Sequence, residues 1–312
     1  MDTVKYSFLK LFLLGSLLIL ASPFAVAQCI GVVTAGGGQG FWADVGKGAR
    51  QAGQELGLAV YVRGAVDESN IAAQRSLINV MIDKGCTGLV LAPNTKERQN
   101  DVEILKAQGI PTVFIDRDIG GDRVSVIKTN NFRAGQLAGK EMVKALNGKG
   151  QVAVLRSNKN IPTTTSRERG FIKEAINGGL EVTVDYYLGT MIGDARSRAF
   201  EIFDSADHID GVFTPNEVTT MATIAALGTT NDRSLITHIG FDSSDYMVKA
   251  LQSDQIFGFV VQRPFDMGYQ GVYTVHQVML GNNVDKNIDT NVIFVNKDKL
   301  VQTEIKQVLG IN

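Results

Sequence analysis

The chain has 312 residues, of which 44% are hydrophobic and 20% are charged, so it can bury a large core, and its length indicates two domains. Lys and Arg number 31 against 32 Asp and Glu, which gives a formal net charge of −1. This balance excludes a broad basic face, and no binding to nucleic acid or to an anionic membrane is predicted.

The first 27 residues have the pattern of a cleaved secretory signal peptide. Lys5 and Lys10 precede the apolar run 11–21, and the small-x-small pattern 25–27 predicts cleavage before Gln28. A membrane anchor is the alternative, but a span needs roughly 20 apolar residues and this run is shorter. We expect a soluble protein exported to the periplasm.

Of the two cysteines, Cys29 lies at the start of the first predicted strand and Cys86 lies just before the third. If these strands are neighbours, as in a doubly wound sheet, the thiols meet at one sheet edge and can form a disulfide in an oxidising compartment. Two buried free thiols are the alternative. Lipoprotein processing at Cys29 is a further alternative, although Gln28 occupies the position where a small residue is required.

Short β-branched runs alternate with longer amphipathic segments along the whole chain. The first series of predicted strands covers 29–34, 58–63, 88–92, 111–116 and 124–128, and the second covers 151–157, 181–187, 211–215, 235–242 and 256–262. Apolar side chains at spacings of three and four predict a helix over 41–56. This alternation predicts an α/β fold with two similar doubly wound parallel-sheet lobes.

The two lobes are predicted to be joined by several chain crossings rather than by a tether. After the signal peptide 1–27, the N-terminal lobe comprises 28–129 plus 263–292 and the C-terminal lobe comprises 130–262 plus 293–312. A strand from the region after Pro264 is expected to close the first sheet. No Pro- or Ser-rich linker occurs at the boundary, which favours strand crossings as a hinge.

The loop after the first strand fits a dinucleotide-binding pattern only weakly. Gly38-Gln39-Gly40-Phe41-Trp42-Ala43 matches G-x-G-x-x-A, but two bulky rings begin the helix where backbone amides would face a pyrophosphate. Three isolated histidines and two cysteines make no metal site, and no hydrolase motif is present. We therefore predict no cofactor, no metal and no catalytic residues.

Ligands of open α/β sheets bind beyond the carboxyl ends of the strands. The polar and aromatic residues near those ends are Gln39, Phe41, Trp42, Asp116 and Arg117 in the first lobe and Arg167, Arg169, Asn216, Glu217, Asp242 and Gln262 in the second. Rings stack on the C–H faces of a sugar, while carboxylates, guanidinium groups and amides bond its hydroxyls. Together these residues predict a sugar-like ligand. The structural alternatives are core packing for Phe41, loop salt bridges for the charged residues, a turn role for Asn216 and a hinge hydrogen bond for Gln262.

The sequence resembles the periplasmic sugar-binding proteins of bacterial ABC transporters, most closely the ribose-binding branch, over about 28–300. The segments that carry the resemblance are 40–42, 73–94, 109–118, 166–171, 212–217, 238–244 and 258–272. The resemblance implies the type I periplasmic-binding-protein fold. It also implies that nine of the residues above, all except Arg169 and Glu217, are sugar contacts. It also implies a monomer that closes around a pentose or hexose and delivers it to a membrane permease.

Some positions depart from the pattern of the ribose-binding branch. Segment 189–194 lacks the expected aromatic ring, and Met191 or Ile192 is expected to fill that wall. Glu217 stands where aspartate is usual, and Arg169 is expected to serve structure. The missing ring leaves the identity of the sugar open.

Three other functions remain as alternatives. The closed form of a periplasmic sensor would signal to a membrane sensor kinase or chemoreceptor, with a sugar or a furanose-like signal molecule as ligand. A LacI-type regulator would need an N-terminal helix-turn-helix where the signal peptide lies. An exported enzyme is the third alternative.

Overall fold

The computed structural model describes residues 28–37, 40–206, 208–229 and 236–311. The predicted signal peptide, residues 1–27, lies outside these ranges, as does Gln39. No helix within the described ranges has the length and apolar character needed to cross a membrane.

The first sheet has six parallel strands. They are β1 (Cys29–Thr34), β2 (Ala59–Gly64), β3 (Cys86–Leu91), β4 (Thr112–Ile115), β5 (Ser125–Thr129) and β11 (Asn287–Thr290). Their order is β11-β5-β4-β3-β1-β2, and every neighbouring pair runs parallel. The closing strand predicted after Pro264 is therefore β11.

The second sheet repeats this order. Its strands are β6 (Gln151–Arg156), β7 (Glu181–Tyr187), β8 (Gly211–Phe213), β9 (Thr237–Phe241), β10 (Gly258–Val261) and β12 (Ile293–Asn296). The order is β12-β10-β9-β8-β6-β7, and only β12 runs antiparallel to its neighbour. The strands of the two sheets correspond one to one, which confirms the prediction of two similar doubly wound lobes.

Ten helices cover the two sheets in the described ranges. They are α1 (Phe41–Leu56), α2 (Ile71–Asp83), α3 (Arg98–Ala107), α4 (Asn131–Ala145), α5 (Pro162–Asn177), α6 (Ile192–Ser205), α7 (Glu217–Leu227), α8 (Asp245–Gln252), α9 (Pro264–Met279) and α10 (Thr303–Leu309). Adjacent residues of β1 serve opposite faces of the sheet: Val32 packs in the core on one face and Val33 in the core on the other. Burial on both faces explains why the central strands read as continuous apolar runs.

The structure joins Cys29 and Cys86 in a disulfide between the neighbouring strands β1 and β3. The two residues are paired in register, and their Cα atoms lie 4.4 Å apart. Both side chains are buried. The disulfide lies at the amino ends of these strands, opposite the edge where ligands of this fold class bind.

Reciprocal glycines bring one pair of helices into backbone contact in each lobe. A Cβ at Gly48 of α1 would lie 1.9 Å from the Phe265 carbonyl oxygen, and one at Gly268 of α9 would lie 1.9 Å from the Val45 carbonyl oxygen. In the second lobe, a Cβ at Gly135 of α4 would lie 1.9 Å from the Arg167 carbonyl oxygen on α5. These distances leave no room for a side chain.

We expect Gly268→Ala to lower the free energy of unfolding by about 1–3 kcal/mol, because the added methyl group forces α1 and α9 apart. Gly193→Ala is the matched control, since Gly193 also lies in a helix but a Cβ there meets nothing within 4 Å. It should be neutral or stabilising by up to about 1 kcal/mol. Urea unfolding followed by circular dichroism measures both, and equal stability of the two variants would contradict the close packing of α1 against α9.

Candidate ligand-binding site

A cavity of about 190 Å³ lies between the lobes at the carboxyl ends of the strands. Eight of the nine predicted contact residues line it, namely Phe41, Trp42, Asp116, Arg117, Arg167, Asn216, Asp242 and Gln262. The ninth, Gln39, is outside the described residues. Arg169 is exposed and is not part of the lining.

The wall from the first lobe is built around one ion-paired arginine. The Arg117 guanidinium pairs with Glu68 and donates from Nε to Asp116 Oδ2 at 3.1 Å. The Trp42 indole Nε1 donates to the other Glu68 oxygen at 2.8 Å, and the Arg117 Cζ lies 5.9 Å from the Trp42 ring centroid. Phe41 meets Trp42 edge to face at 4.8 Å. These contacts hold the indole in one orientation at the cavity.

Two aspartates enter the cavity from equivalent positions of the two sheets. Asp116 follows β4 and Asp242 follows β9, which occupy the same place in the strand order. Both have a left-handed backbone, with φ values of 63° and 71°. Aspartate tolerates this region better than most residues, and such strain concentrates at functional sites. The same strand-end geometry therefore supplies one carboxylate from each lobe.

Arg167 supplies a positive charge from the second lobe, and hydrogen bonds hold its guanidinium in place. Its Nε donates to Asn131 Oδ1 at 2.7 Å and its Nη1 donates to the Pro215 carbonyl at 2.9 Å. Its Cζ lies 4.0 Å from the Phe241 ring centroid, and Nη1 lies 3.9 Å from Asp242 Oδ2. The backbone contact of Gly135 with the Arg167 carbonyl allows α4 and α5 to approach this closely.

Gln262 and Asp242 form a second polar pair. The Gln262 Nε2 donates to Asp242 Oδ1 at 2.6 Å, while Asp242 Oδ2 accepts from the Glu217 backbone N–H at 3.1 Å. This arrangement leaves Gln262 Oε1 buried without a hydrogen-bond partner. A buried acceptor in this state favours a ligand that donates to it.

Asn216 also caps the helix that begins beside the cavity. Its Oδ1 accepts from the Thr219 backbone N–H at 3.1 Å and from the Thr219 hydroxyl at 2.7 Å. Its Nδ2 donates to Ser157 Oγ at 3.4 Å. Asn216 thus has a structural role as a helix cap, rather than the turn role given as its alternative, in addition to its place in the lining.

Burial sets the direction of the pKa shift for four residues of the cavity. It raises the pKa of Asp116 and of Asp242 and lowers the pKa of Arg167. Burial and the neighbouring Asp242 carboxylate raise the pKa of Glu217 to about 7. In such a desolvated site, a hydrogen bond to a charged group contributes roughly 1.5–3 kcal/mol.

Residues 30–283 match the family described as periplasmic binding protein domain. The chain belongs to this family. This periplasmic binding protein is 27% identical over 267 residues to the D-apiose import binding protein of Actinobacillus succinogenes. The aligned region covers 83% of this chain and 85% of the relative. The protein is 26% identical over 257 residues to the ribose import binding protein of Haemophilus influenzae, covering 80% and 84%.

A solved structure extends the match to nearly the whole described chain. The carbohydrate transporter solute binding protein from Agrobacterium radiobacter, in complex with D-arabinose, superposes with a TM-score of 0.85 at 26% identity and covers 91% of this chain and 99% of that one. These matches confirm the predicted resemblance to periplasmic sugar-binding proteins and the prediction of a binding protein rather than an enzyme.

The cavity of this periplasmic binding protein is also lined by residues absent from the predicted contact set, among them the carboxylates Glu68 and Glu217. Glu68 follows β2, and applying the strand-end rule to that edge strand would have found it. Glu217 begins α7, and its Oε2 accepts from the Phe41 backbone N–H of the other lobe at 3.4 Å. Met191 lines the wall where no aromatic ring occurs, whereas Ile192 is not among the lining residues.

Proposed function

We propose that the protein captures a small sugar, a pentose or hexose, between its lobes and delivers it to the membrane permease of an ABC transporter. The observation that carries this proposal is one cavity lined by aromatic rings of the first lobe and by carboxylates and guanidinium groups of both lobes. A relative named for D-apiose import and a similar structure with D-arabinose support a ligand of this class.

Closure follows from the way in which the lining residues are divided between the lobes. A ligand shifts an equilibrium between open and closed forms only by its preference for one of them. A sugar that touches Trp42 and Asp116 on one side and Arg167 and Asp242 on the other stabilises the closed form. The hinge would lie at the chain crossings between 28–129 plus 263–292 and 130–262 plus 293–312.

We also propose that the protein is exported to the periplasm. Cleavage before Gln28 would release the mature chain into the periplasm as a monomer, which N-terminal sequencing and size-exclusion chromatography of the secreted protein would test. An uncleaved N-terminus or a dimer would contradict these two points.

Sugar binding is tested by calorimetric titration with a panel of pentoses and hexoses. Trp42 is the single tryptophan of the chain and lines the cavity, so intrinsic fluorescence gives a second readout. At least one sugar should bind and change the emission. The absence of heat and fluorescence changes with every sugar would overturn the proposal.

Trp42→Ala should weaken sugar binding by about 10- to 100-fold, because it removes the largest ring of the cavity and the donor to Glu68. Tyr246→Ala, on an exposed position of α8, is the control and should leave the affinity unchanged. Calorimetry measures both variants, since the first has no tryptophan. Unchanged binding by Trp42→Ala would remove this ring from the site.

Delivery to a permease is tested in cells. Deletion of the gene should abolish uptake of the labelled sugar. If uptake persists and a sugar-dependent transcriptional response is lost instead, the closed form signals to a sensor kinase or chemoreceptor.

A further inference from the structure

The cavity lining carries more negative than positive side chains. Five carboxylates face two guanidinium groups, and no lysine or histidine occurs among the described lining residues. The carboxylates belong to Asp67, Glu68, Asp116, Glu217 and Asp242. Both arginines are already engaged by acids, since Arg117 pairs with Glu68 and Asp116, and Arg167 lies 3.9 Å from Asp242.

Glu217 has no cation beside it. None of the ion pairs formed by the described residues includes Glu217, and the hydrogen-bond donor that reaches it is the uncharged Phe41 N–H. The charged groups that act on it are acids, Asp242 of its own lobe and Asp44 on α1 of the other. A desolvated carboxylate without a positive partner is costly, so it either binds a proton or pairs with a cation from elsewhere.

A second observation concerns Gln262, whose side chain is only 2% exposed. Its Nε2 is used by Asp242, and its Oε1 has no partner. The cavity thus offers acceptors in excess of donors. An ammonium group carries three N–H donors, a positive charge and no acceptor, which matches this excess.

We propose that the ligand is a small sugar or polyol carrying a protonated amine, and that Glu217 is the residue that selects it. The inference rests on the proposed function, since the same cavity holds the ring against Trp42 and the hydroxyls against Arg167. The ammonium group pairs with the Glu217 carboxylate and brings the positive charge that the lining lacks.

The test compares amino sugars with their parent sugars by calorimetry at pH 6.5. The probes are D-glucosamine and D-galactosamine against D-glucose and D-galactose. At least one amino sugar should bind about 10-fold or more tightly than its parent. Glu217→Gln keeps the size and the acceptor for the Phe41 N–H, and should weaken amino-sugar binding about 10-fold or more. Because the amide is neutral like the protonated acid, the variant should bind the parent sugar at least as tightly as the natural protein does.

Asp44→Asn is the matched control, because it removes a neighbouring acid that does not line the cavity. It should change the affinity for either class less than about 3-fold.

The pH dependence gives a readout that a structural role of Glu217 would not produce. Enclosing a neutral sugar leaves Glu217 buried and unpaired, with a pKa raised to about 7, so closure takes up a proton. Affinity for a neutral sugar should therefore rise as the pH falls from 7 to about 5. An ammonium group pairs with the charged carboxylate, so amino-sugar affinity should stay level or fall over that range. Arg117 and Arg167 keep their charge throughout.

Three results separate the possible failures. If parent sugars bind more tightly than amino sugars, the proposed ligand class is wrong and the proposed function stands. If amino sugars bind preferentially but Glu217→Gln leaves that preference intact, Glu217 is not the selecting residue. If neither class binds, the proposed function itself fails.

Discussion

Arg167→Met should weaken sugar binding by at least about 100-fold and lower the free energy of unfolding by about 3–5 kcal/mol. The guanidinium is buried between Asn131, the Pro215 carbonyl, Asp242 and the Phe241 ring. Methionine preserves much of the side-chain volume but removes the charge and both hydrogen bonds. The Asp242 carboxylate then remains buried without its cation, which is the main source of the expected loss.

Arg169→Met is the matched control for this variant. Arg169 lies on the same helix two residues later, and it is exposed and outside the cavity lining. Its replacement should change stability by less than about 0.5 kcal/mol and leave binding unaffected. Chemical unfolding and calorimetry measure both variants. If Arg167→Met were as stable as Arg169→Met, the buried pair with Asp242 would not exist in solution.

A double variant separates the loss of the charge pair from the loss of packing. In Arg167→Met/Asp242→Asn the uncompensated carboxylate is gone, so part of the stability should return relative to Arg167→Met alone. Sugar binding should not return, because the guanidinium of Arg167 and the carboxylate of Asp242 are both missing. Equal stability of the single and double variants would attribute the loss to packing.

The hydrophobic pattern of the sequence was sufficient to predict most of the strands and the helix α1. All ten predicted strands occur, with ends within two residues of the prediction, and helix α1 spans 41–56 as predicted. Buried parallel strands require continuous apolar runs, and these are visible without any tertiary information. The ends of the four-residue strands β11 and β12 were not predicted. The sequence of β11 is polar, and the two strands are defined by their pairing, β11 with β5 and β12 with β10.

Much of the lining of the candidate cavity could be predicted from the sequence, but the contacts among the lining residues could not. The strand-end rule selected Asp116 and Asp242 from their positions alone, while their left-handed backbones depend on the surrounding loops. The bond between Gln262 and Asp242 requires β9 and β10 to be neighbours, which is a matter of sheet order. The contact between Glu217 and the Phe41 backbone N–H depends on how closely the two lobes approach, and no local sequence pattern encodes that distance.

Removing the Cys29–Cys86 disulfide should lower the free energy of unfolding by about 4 kcal/mol. The bond links residues 57 positions apart, and the estimate follows from the chain entropy that such a link removes from the unfolded state. In Cys29→Ala/Cys86→Ala the unfolding temperature should fall by about 8–15 °C. Because the bond lies at the amino ends of β1 and β3, sugar affinity should remain unchanged.

Reductant supplies the internal control for this prediction. Dithiothreitol should lower the unfolding temperature of the natural protein toward that of the double variant and leave the double variant unaffected. Free-thiol titration of the unfolded protein distinguishes the bonded pair from two thiols. If two thiols titrate without reductant and dithiothreitol has no effect, the cysteines are unpaired. A bonded pair would also agree with folding in an oxidising compartment, since such bonds are rare where thiols are kept reduced.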